Sequence, residues 1–190
     1  YMNRIGQAIA AVSDEVRGTF IGYRLAVLDT EEVNAFATPG GTIFLSKGLI
    51  RLAQNEDDLA GVIAHEIAHV SLRHGLAAIK QANMLAAFQY LGAGAAQATL
   101  SDKDLQQVTG VFGDSIQDII TTLVKNGYSR DAEYEADELG ARIAAAAGYD
   151  PAGMGRVLFR MGRHAGKGGF YSTHPAPAER IARLQASPAA

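Results

Sequence analysis

The sequence predicts a single α+β domain over residues 1–190, mainly helical, with a small antiparallel sheet. Three observations support this class. Apolar residues recur every three or four positions in several segments, and short runs rich in β-branched and aromatic residues flank a Pro-Gly-Gly turn. The composition, 48% apolar and 19% charged, is typical of a globular chain. The length suits one core better than two.

The first elements are a helix and a sheet. From Asn3 to Arg17, isoleucine and valine side chains recur at helical spacing, which predicts an amphipathic helix. The runs YRLAVLD, VNAFATP and TIFLS predict strands, and Pro39-Gly40-Gly41 joins the last two as a hairpin. The stretch SKGLIRLA then predicts a short helix.

Capping residues delimit the later helices. Asn55, followed by three acidic residues, starts a longer helix that contains VIAHEIAHVSLRH. A further helix begins after Ser129 and ends at Gly148. It starts with the carboxylate-rich stretch SRDAEYEADELG. Pro151 opens a further helix to Arg163, and PAERIARLQ predicts a last one.

Charge, cysteine content and hydropathy exclude several classes of function. A net charge of -3 gives no electrostatic footprint for nucleic acid, so we expect no such partner. With no cysteine, a metal must be held by histidines and carboxylates. The apolar segment Met84–Leu100 is shorter than the roughly 20 residues of a spanning helix, and residues 102–125 predict a polar helix. Met84–Leu100 predicts a mobile or partly buried helical hairpin, with a membrane contact as the alternative. Membrane association is also expected to be possible through residues absent from this chain.

The HEIAH motif has the geometry of a metal clamp. On a helix, His65 and His69 lie about 40° apart and one turn along, so both imidazoles can reach one ion. Glu66 lies about 60° from His69, close enough to address a water at that ion. His74 lies about 140° from His69 and points away if the helix is unbroken. We therefore expect no metal role for His74, and none for His164.

A catalytic zinc ion needs a third protein ligand and an open position for water. The carboxylate-rich helix offers Glu133 and Asp137 on one face, one turn apart, whereas Glu135 lies about 200° from Glu133. One residue of the pair can bind metal while the other accepts a hydrogen bond from a ligating histidine and fixes its tautomer. The alternative is a solvated helix face paired with nearby arginines.

Four segments, in this order, carry a family resemblance: VNAFATPGGTIFLSKGLI, HEIAHVSLRH, SRDAEYEAD and STHPAPAERI. Together they resemble the M48 family of zinc metallopeptidases, in its soluble, envelope-associated, Oma1-like branch. The resemblance covers Val33 to Leu184. It implies a gluzincin-type zincin fold and one zinc ion per chain.

The resemblance also implies roles for individual residues. It assigns zinc to His65, His69 and Glu133. Asp137 becomes the residue that orients a ligand, and Arg180 completes the last signature. The alternative for Arg180 is a surface residue or an ion-pairing residue.

The implied chemistry is peptide hydrolysis by a zinc-activated water, with Glu66 as general base. By the resemblance, His174 lies beside the metal. It could donate to the developing oxyanion, or it could ligate the ion and displace the water, which would make the enzyme latent. A loop histidine without a role is the third alternative. Tyr128, Tyr134 and Tyr171 are candidate oxyanion donors, or packing residues with solvated hydroxyls.

The strand VNAFATP is expected beside the cleft, where the main chain of Asn34 and Ala35 can pair with an extended substrate. Because backbone pairing is weakly selective, we expect unfolded or misfolded proteins as substrates. The resemblance suggests protein quality control in a bacterial periplasm or envelope. Two alternatives are a zinc-stabilised, chaperone-like binding scaffold without turnover and a hydrolase of small amides. The cleft-edge strand argues against the second.

Overall fold

The structure, a computed structural model, describes residues 1–81, 127–163, 174 and 177–186. These residues are mainly helical with one small sheet, which confirms the predicted α+β class. The predictions for Met84–Leu100 and residues 102–125 lie outside the described residues. None of the helices that the structure describes is both long enough and apolar enough to span a bilayer. In chain order the elements are α1 (Met2–Ala11), β1 (Arg24–Leu28), β2 (Ala35–Ala37), β3 (Thr42–Ser46), α2 (Lys47–Leu52), α3 (Glu56–Ser71), α4 (Arg130–Ala146), α5 (Gly153–Arg163) and α6 (Pro177–Ala186).

The capping residues predicted from the sequence set the boundaries of the two longest helices. Asn55 Oδ1 accepts a hydrogen bond of 2.9 Å from the N–H of Asp58 and starts α3. Ser129 Oγ accepts one of 3.2 Å from the N–H of Ala132 and starts α4. Each satisfies a donor that the first helical turn leaves without a partner. Gly148, with φ of 84°, takes the left-handed conformation that follows the end of α4.

Two helices are shorter than the sequence predicts. The apolar spacing predicts α1 as far as Arg17, but the helix ends earlier because Ser13 Oγ accepts a hydrogen bond of 3.2 Å from the N–H of Glu15. This local side-chain bond stabilises a turn instead of a further helical turn. Likewise α5 begins at Gly153, since residues 151–152 form a turn.

The sheet has the strand order β1-β3-β2. β2 and β3 form the predicted antiparallel hairpin, with Phe36 opposite Phe44 and Gly41 in the turn at φ of 94°. β1 pairs parallel with β3, with Arg24 opposite Thr42, so the sheet is mixed rather than wholly antiparallel. The connection after β1 places β2 at the far edge, and β3 returns between them. Strand composition does not specify that order.

Helix α3 lies at the centre of the fold. All of its residues from Ala60 to Ser71 are buried, and it packs against α1, α4, α5 and β2. Gly61 permits the close approach of α5, because a Cβ there would overlap the backbone of Met154. The helix that carries the HEIAH motif is therefore fixed by packing on several sides.

Candidate metal centre

Helix α3 brings the two motif histidines together. The Nε2 atoms of His65 and His69 lie 3.0 Å apart, and both rings are fully buried. Their i, i+4 spacing puts them on one face of the helix, as the sequence predicts. Both nitrogens thus point to one place.

Helix α4 supplies a carboxylate to the same place. Glu133 Oε1 lies 3.4 Å from His69 Nε2, and its Oε2 lies 3.6 Å from His65 Nε2. The two helices approach closely at Gly140, where a Cβ would lie 3.1 Å from backbone atoms of His65. The absence of a side chain at Gly140 lets the carboxylate reach the histidines.

His174 joins this group from a distant part of the sequence. Its Nδ1 lies 2.8 Å from Glu133 Oε1 and 3.5 Å from His65 Nε2, and its side chain is fully buried. One ligand atom from each of four residues lies within 4.8 Å of the other three: His65, His69, Glu133 and His174. We refer to these four residues as the donor cluster.

The donor cluster has the chemistry of a zinc site. Imidazole nitrogens and carboxylate oxygens are the ligands that zinc accepts in a protein without cysteine, and four is the coordination number it prefers. The Nε2 atoms of His65 and His69 face each other at 3.0 Å, so without an ion one of them must carry a proton. A cation between the donors would let all of them act as acceptors, so the residues present fit the metal.

Asp137 and Arg180 contact two members of the donor cluster, His65 and Glu133. His65 Nδ1 lies 3.0 Å from Asp137 Oδ1, which fixes the ring with Nε2 towards the cluster. The guanidinium of Arg180 lies 2.7 Å from Glu133 Oε2 and forms two hydrogen bonds of 2.7 Å to Asp137. All four of these side chains are buried. Arg180 is therefore a buried counter-charge for two carboxylates, not a surface residue.

In the metal-free protein, burial and charge set the protonation of the cluster. Burial and Arg180 lower the pKa of His65, but Asp137 and Glu133 outweigh them and raise it to about 9. Burial lowers the pKa of His69 well below its usual value. Burial opposes ionisation of Glu133, yet the three histidines around it hold its pKa far below its ordinary value. His69 and Glu133 are thus ready to accept a metal, whereas His65 must first release a proton.

Glu66 lies at the edge of the donor cluster. Its Oε1 is 3.5 Å from His174 Nε2, and its side chain is fully buried. Among the described residues neither carboxylate oxygen has a hydrogen-bond partner. Burial raises the pKa of Glu66, because a charge is costly away from water. A buried carboxylate of this kind accepts protons more readily than one in solvent.

His74 lies where the sequence argument did not expect it. Its Nδ1 is 2.9 Å from Nδ1 of His69, and its Nε2 is 3.2 Å from Glu135 Oε2. The expectation that it points away assumed an unbroken helix, but α3 ends at Ser71 and Arg73 has φ of 61°. That conformation costs about 1 kcal/mol in a residue other than glycine. No sequence signal marks this break.

Among the tyrosines that the structure describes, Tyr128 is the one in contact with the donor cluster. Its ring stacks on His69 with centroids 4.0 Å apart, and burial raises the pKa of its hydroxyl well above the usual value. Tyr134 instead donates a hydrogen bond of 2.7 Å to Glu179, away from the cluster. Tyr171 and His164 lie outside the described residues.

The expected substrate strand is β2, and its two proposed residues differ in availability. Both main-chain polar groups of Asn34 are bonded to Ser46. The N–H of Asn34 donates to Ser46 Oγ, and its C=O accepts from the N–H of Ser46, each at 2.9 Å. Asn34 is therefore not free to pair through its main chain, contrary to the expectation. In an antiparallel ladder the residues between bonded pairs direct their N–H and C=O groups away from the partner strand, as Ala35 and Ala37 do in β2. Both residues are buried, so these main-chain groups are covered in this conformation.

A cleft adjoins this strand and the end of α3. Its volume is about 450 Å³, and its walls include Thr38 at the end of β2 and Val70, Leu76 and Tyr128. Because Tyr128 stacks on His69, the cleft adjoins the donor cluster.

Known proteins with similar sequences share one family. A family model described as Peptidase family M48 matches residues 1–187. The β-barrel assembly-enhancing protease of Yersinia pestis is 30% identical over 188 residues, which is 95% of this chain and 37% of that protein. The mitochondrial metalloendopeptidase OMA1 of Schizosaccharomyces pombe is 31% identical over 189 residues, covering 97% and 51%. The HtpX protease homolog of Desulfatibacillum aliphaticivorans is 30% identical over 196 residues, covering 85% and 62%. The chain spans less than two thirds of each relative.

Proposed function

The chain belongs to peptidase family M48, and from this premise we propose that it is a zinc-dependent endopeptidase acting on unfolded or misassembled proteins. The observation that carries the proposal is the position of Glu66. A buried carboxylate without a hydrogen-bond partner among the described residues lies beside a cluster of four potential metal ligands. A carboxylate beside a metal site is placed to accept a proton from the attacking water.

In this proposal His65, His69 and Glu133 hold the zinc ion. Bound there, zinc supplies Lewis acidity, which lowers the pKa of water and polarises the carbonyl to be attacked. Asp137 Oδ1 lies 3.0 Å from His65 Nδ1 and keeps the proton of His65 on that nitrogen, so that Nε2 is available to the metal. Arg180 balances the charge of the two carboxylates nearest to it.

Glu66 acts as the general base. It takes a proton from the attacking water and later delivers it to the nitrogen of the departing amine. Burial raises its pKa towards the range in which a carboxylate can perform both transfers near neutral pH. Its position next to the cluster, rather than within it, leaves the carboxylate free for this role.

His174 regulates access to the centre in this proposal. As a fourth donor it would fill the position that a catalytic zinc site leaves open for water, so the conformation described is a latent one. Its withdrawal would open the position. The same imidazole could then donate to the oxyanion, which is the second role that its place beside Glu66 allows.

Substrate binds as an added strand along β2. The main-chain groups of Ala35 and Ala37 that point away from β3 supply the pairing once the groups that bury these two residues are displaced. The side-chain oxygen of Asn34, buried without a described partner, can accept one further hydrogen bond. Pairing of this kind requires an extended substrate but selects weakly for sequence. We therefore propose unfolded proteins as substrates.

The names of two relatives support a proposal about the biological setting. One is named for enhancing β-barrel assembly in a bacterium, and another is a mitochondrial metalloendopeptidase. We propose that this chain serves protein quality control in the periplasm or envelope of a bacterium. Misassembled membrane proteins expose the extended segments that the β2 edge can bind.

The decisive experiment compares cleavage of casein by the zinc-loaded wild type and by Glu66→Gln at matched zinc content. Glu138→Gln is the control, because Glu138 lies on the exposed face of α4 and pairs with Arg142. The proposal expects cleavage by the wild type and the control and none by Glu66→Gln; if His174 keeps the wild type latent, the same comparison is made in the His174→Ala background. Cleavage by all three proteins would refute the role of Glu66.

A second candidate function is a zinc-stabilised binding scaffold without turnover. The four-donor cluster favours it, because structural zinc sites are closed by four protein ligands. The scaffold predicts that zinc raises thermal stability and that neither the wild type nor His174→Ala cleaves casein. Cleavage by either protein would exclude it.

A further inference from the structure

A chain of hydrogen bonds leads from the donor cluster to the surface. His69 Nδ1 lies 2.9 Å from His74 Nδ1, and His74 Nε2 lies 3.2 Å from Glu135 Oε2. Both histidines are buried, whereas the Glu135 side chain is 64% exposed. The mechanism proposed above uses neither His74 nor Glu135.

The break in the helix after α3 makes these hydrogen bonds possible. Leu72 caps the helix, and Arg73, with φ of 61°, redirects the backbone before the helical residues 74–81 begin. On a continuous helix, His74 would lie about 140° from His69 and could not reach its ring. The turn thus places the second imidazole directly behind the first.

If His69 is to bind a metal, the protons of these hydrogen bonds can be arranged in only one direction. A ligating Nε2 must carry no proton, so the proton of His69 is on Nδ1. His69 Nδ1–H then donates to His74 Nδ1, which places the proton of His74 on Nε2. That N–H donates to the carboxylate of Glu135. The reverse arrangement would leave a proton on His69 Nε2, where it would block the metal.

We propose that His74 and Glu135 are positioning residues that hold His69 in the tautomer and ring orientation required for metal binding. His65 has the equivalent support directly from Asp137, at 3.0 Å. The two histidine ligands would therefore both be oriented by carboxylates of α4, one directly and one through a bridging imidazole. Partners of this kind typically account for a 10- to 100-fold difference in metal affinity.

The inference rests on the proposed metal site but not on proteolysis. Its test is therefore the zinc dissociation constant, measured by competition with a chromophoric chelator on the metal-free chain. If the protein binds zinc tightly but neither the wild type nor His174→Ala cleaves casein, the proposed function fails, and the zinc affinities of the variants below still decide this inference.

Glu135→Ala is the first variant, with Glu138→Ala as its matched control. Both glutamates lie on α4, and their side chains are 64% and 68% exposed, so the two changes have similar effects on the helix and on solvation. We expect Glu135→Ala to weaken zinc binding by about tenfold and Glu138→Ala to leave it unchanged. Equal zinc affinities of the two variants would overturn the inference.

His74→Phe is the second variant, because it keeps a ring of similar size but removes the acceptor for His69 Nδ1–H. We expect a loss of zinc affinity of about 10- to 100-fold and an altered visible spectrum of the cobalt-substituted protein. A purely structural role would lower the thermal midpoint without changing that spectrum at saturating cobalt. Glu135→Gln, which retains an acceptor oxygen, should recover part of the affinity lost in Glu135→Ala.

Discussion

Arg180 and Asp137 form a bidentate ion pair inside the protein, with two hydrogen bonds of 2.7 Å and no exposure of the guanidinium. Arg180 lies on α6 and Asp137 lies on α4. The ion pair therefore links the last described helix to the donor cluster. The same guanidinium also contacts Glu133. One cation therefore compensates two buried carboxylates.

Replacing Arg180 by methionine should destabilise the metal-free protein by about 3–5 kcal/mol, because Asp137 and Glu133 lose their common counter-charge while remaining buried. The control is Arg130→Met, which breaks an exposed pair with Glu179 and should cost less than about 1 kcal/mol. Urea denaturation gives both free energies of unfolding. Equal losses in the two variants would contradict the role assigned to Arg180.

Acid should weaken the same pair. The pKa of Asp137 is held at about 2, below its ordinary value of 3.8, because Arg180 and His65 outweigh the effect of burial. A lowered pKa stabilises the fold at pH values above the unfolded pKa, and this contribution disappears as the pH falls through about 2. The shift corresponds to about 2 kcal/mol. The difference in unfolding free energy between metal-free wild type and Asp137→Asn should narrow by about 1 kcal/mol from pH 6 to pH 3. A constant difference would show that the charge of Asp137 does not contribute.

His174→Ala should raise casein cleavage by the zinc-loaded protein if the imidazole occupies the position of the attacking water. Zinc should still bind, since His65, His69 and Glu133 remain. The measurement is the initial rate at matched zinc content. A rate that stays at or below that of the wild type under every condition would refute latency and favour the oxyanion role instead.

Gly61→Ala should lower stability by about 1–3 kcal/mol, because the added methyl group overlaps the backbone of Met154 and separates α3 from α5. Gly155→Ala is the counterpart, since a Cβ there would meet only Leu184 Cδ1 at 4.0 Å. Alanine is the better helix former, so this second change should stabilise the protein by about 0.5–1 kcal/mol. A lower thermal midpoint for Gly61→Ala and a higher one for Gly155→Ala would support the close packing of α3. Two changes of the same sign would argue against it.

Helical periodicity was sufficient to bring the motif residues together. His65 and His69 share a face, and so do Glu133 and Asp137, because side chains four residues apart on a helix always lie close. The caps at Asn55 and Ser129 could be predicted for a similar reason, since their bonds are local. Such local rules do not depend on the rest of the fold.

Other features depend on tertiary structure and could not be predicted from the pattern. His74 reaches His69 only because Arg73 adopts a left-handed conformation, which no glycine or proline at that position announces. The parallel pairing of β1 with β3 depends on the path of the connection, not on strand composition. The commitment of the Asn34 main chain to Ser46 likewise follows from the register of the hairpin.

The donor cluster also has a consequence for the unfolded chain. Its members come from three distant segments: His65 and His174 are separated by 109 positions, and Glu133 and His174 by 41. An ion that holds all four closes long loops of polypeptide, much as a disulfide does, and most of the gain from such closure arises from restricting the unfolded ensemble. Zinc would thus act as a reversible cross-link in a protein that has no cysteine to form a permanent one.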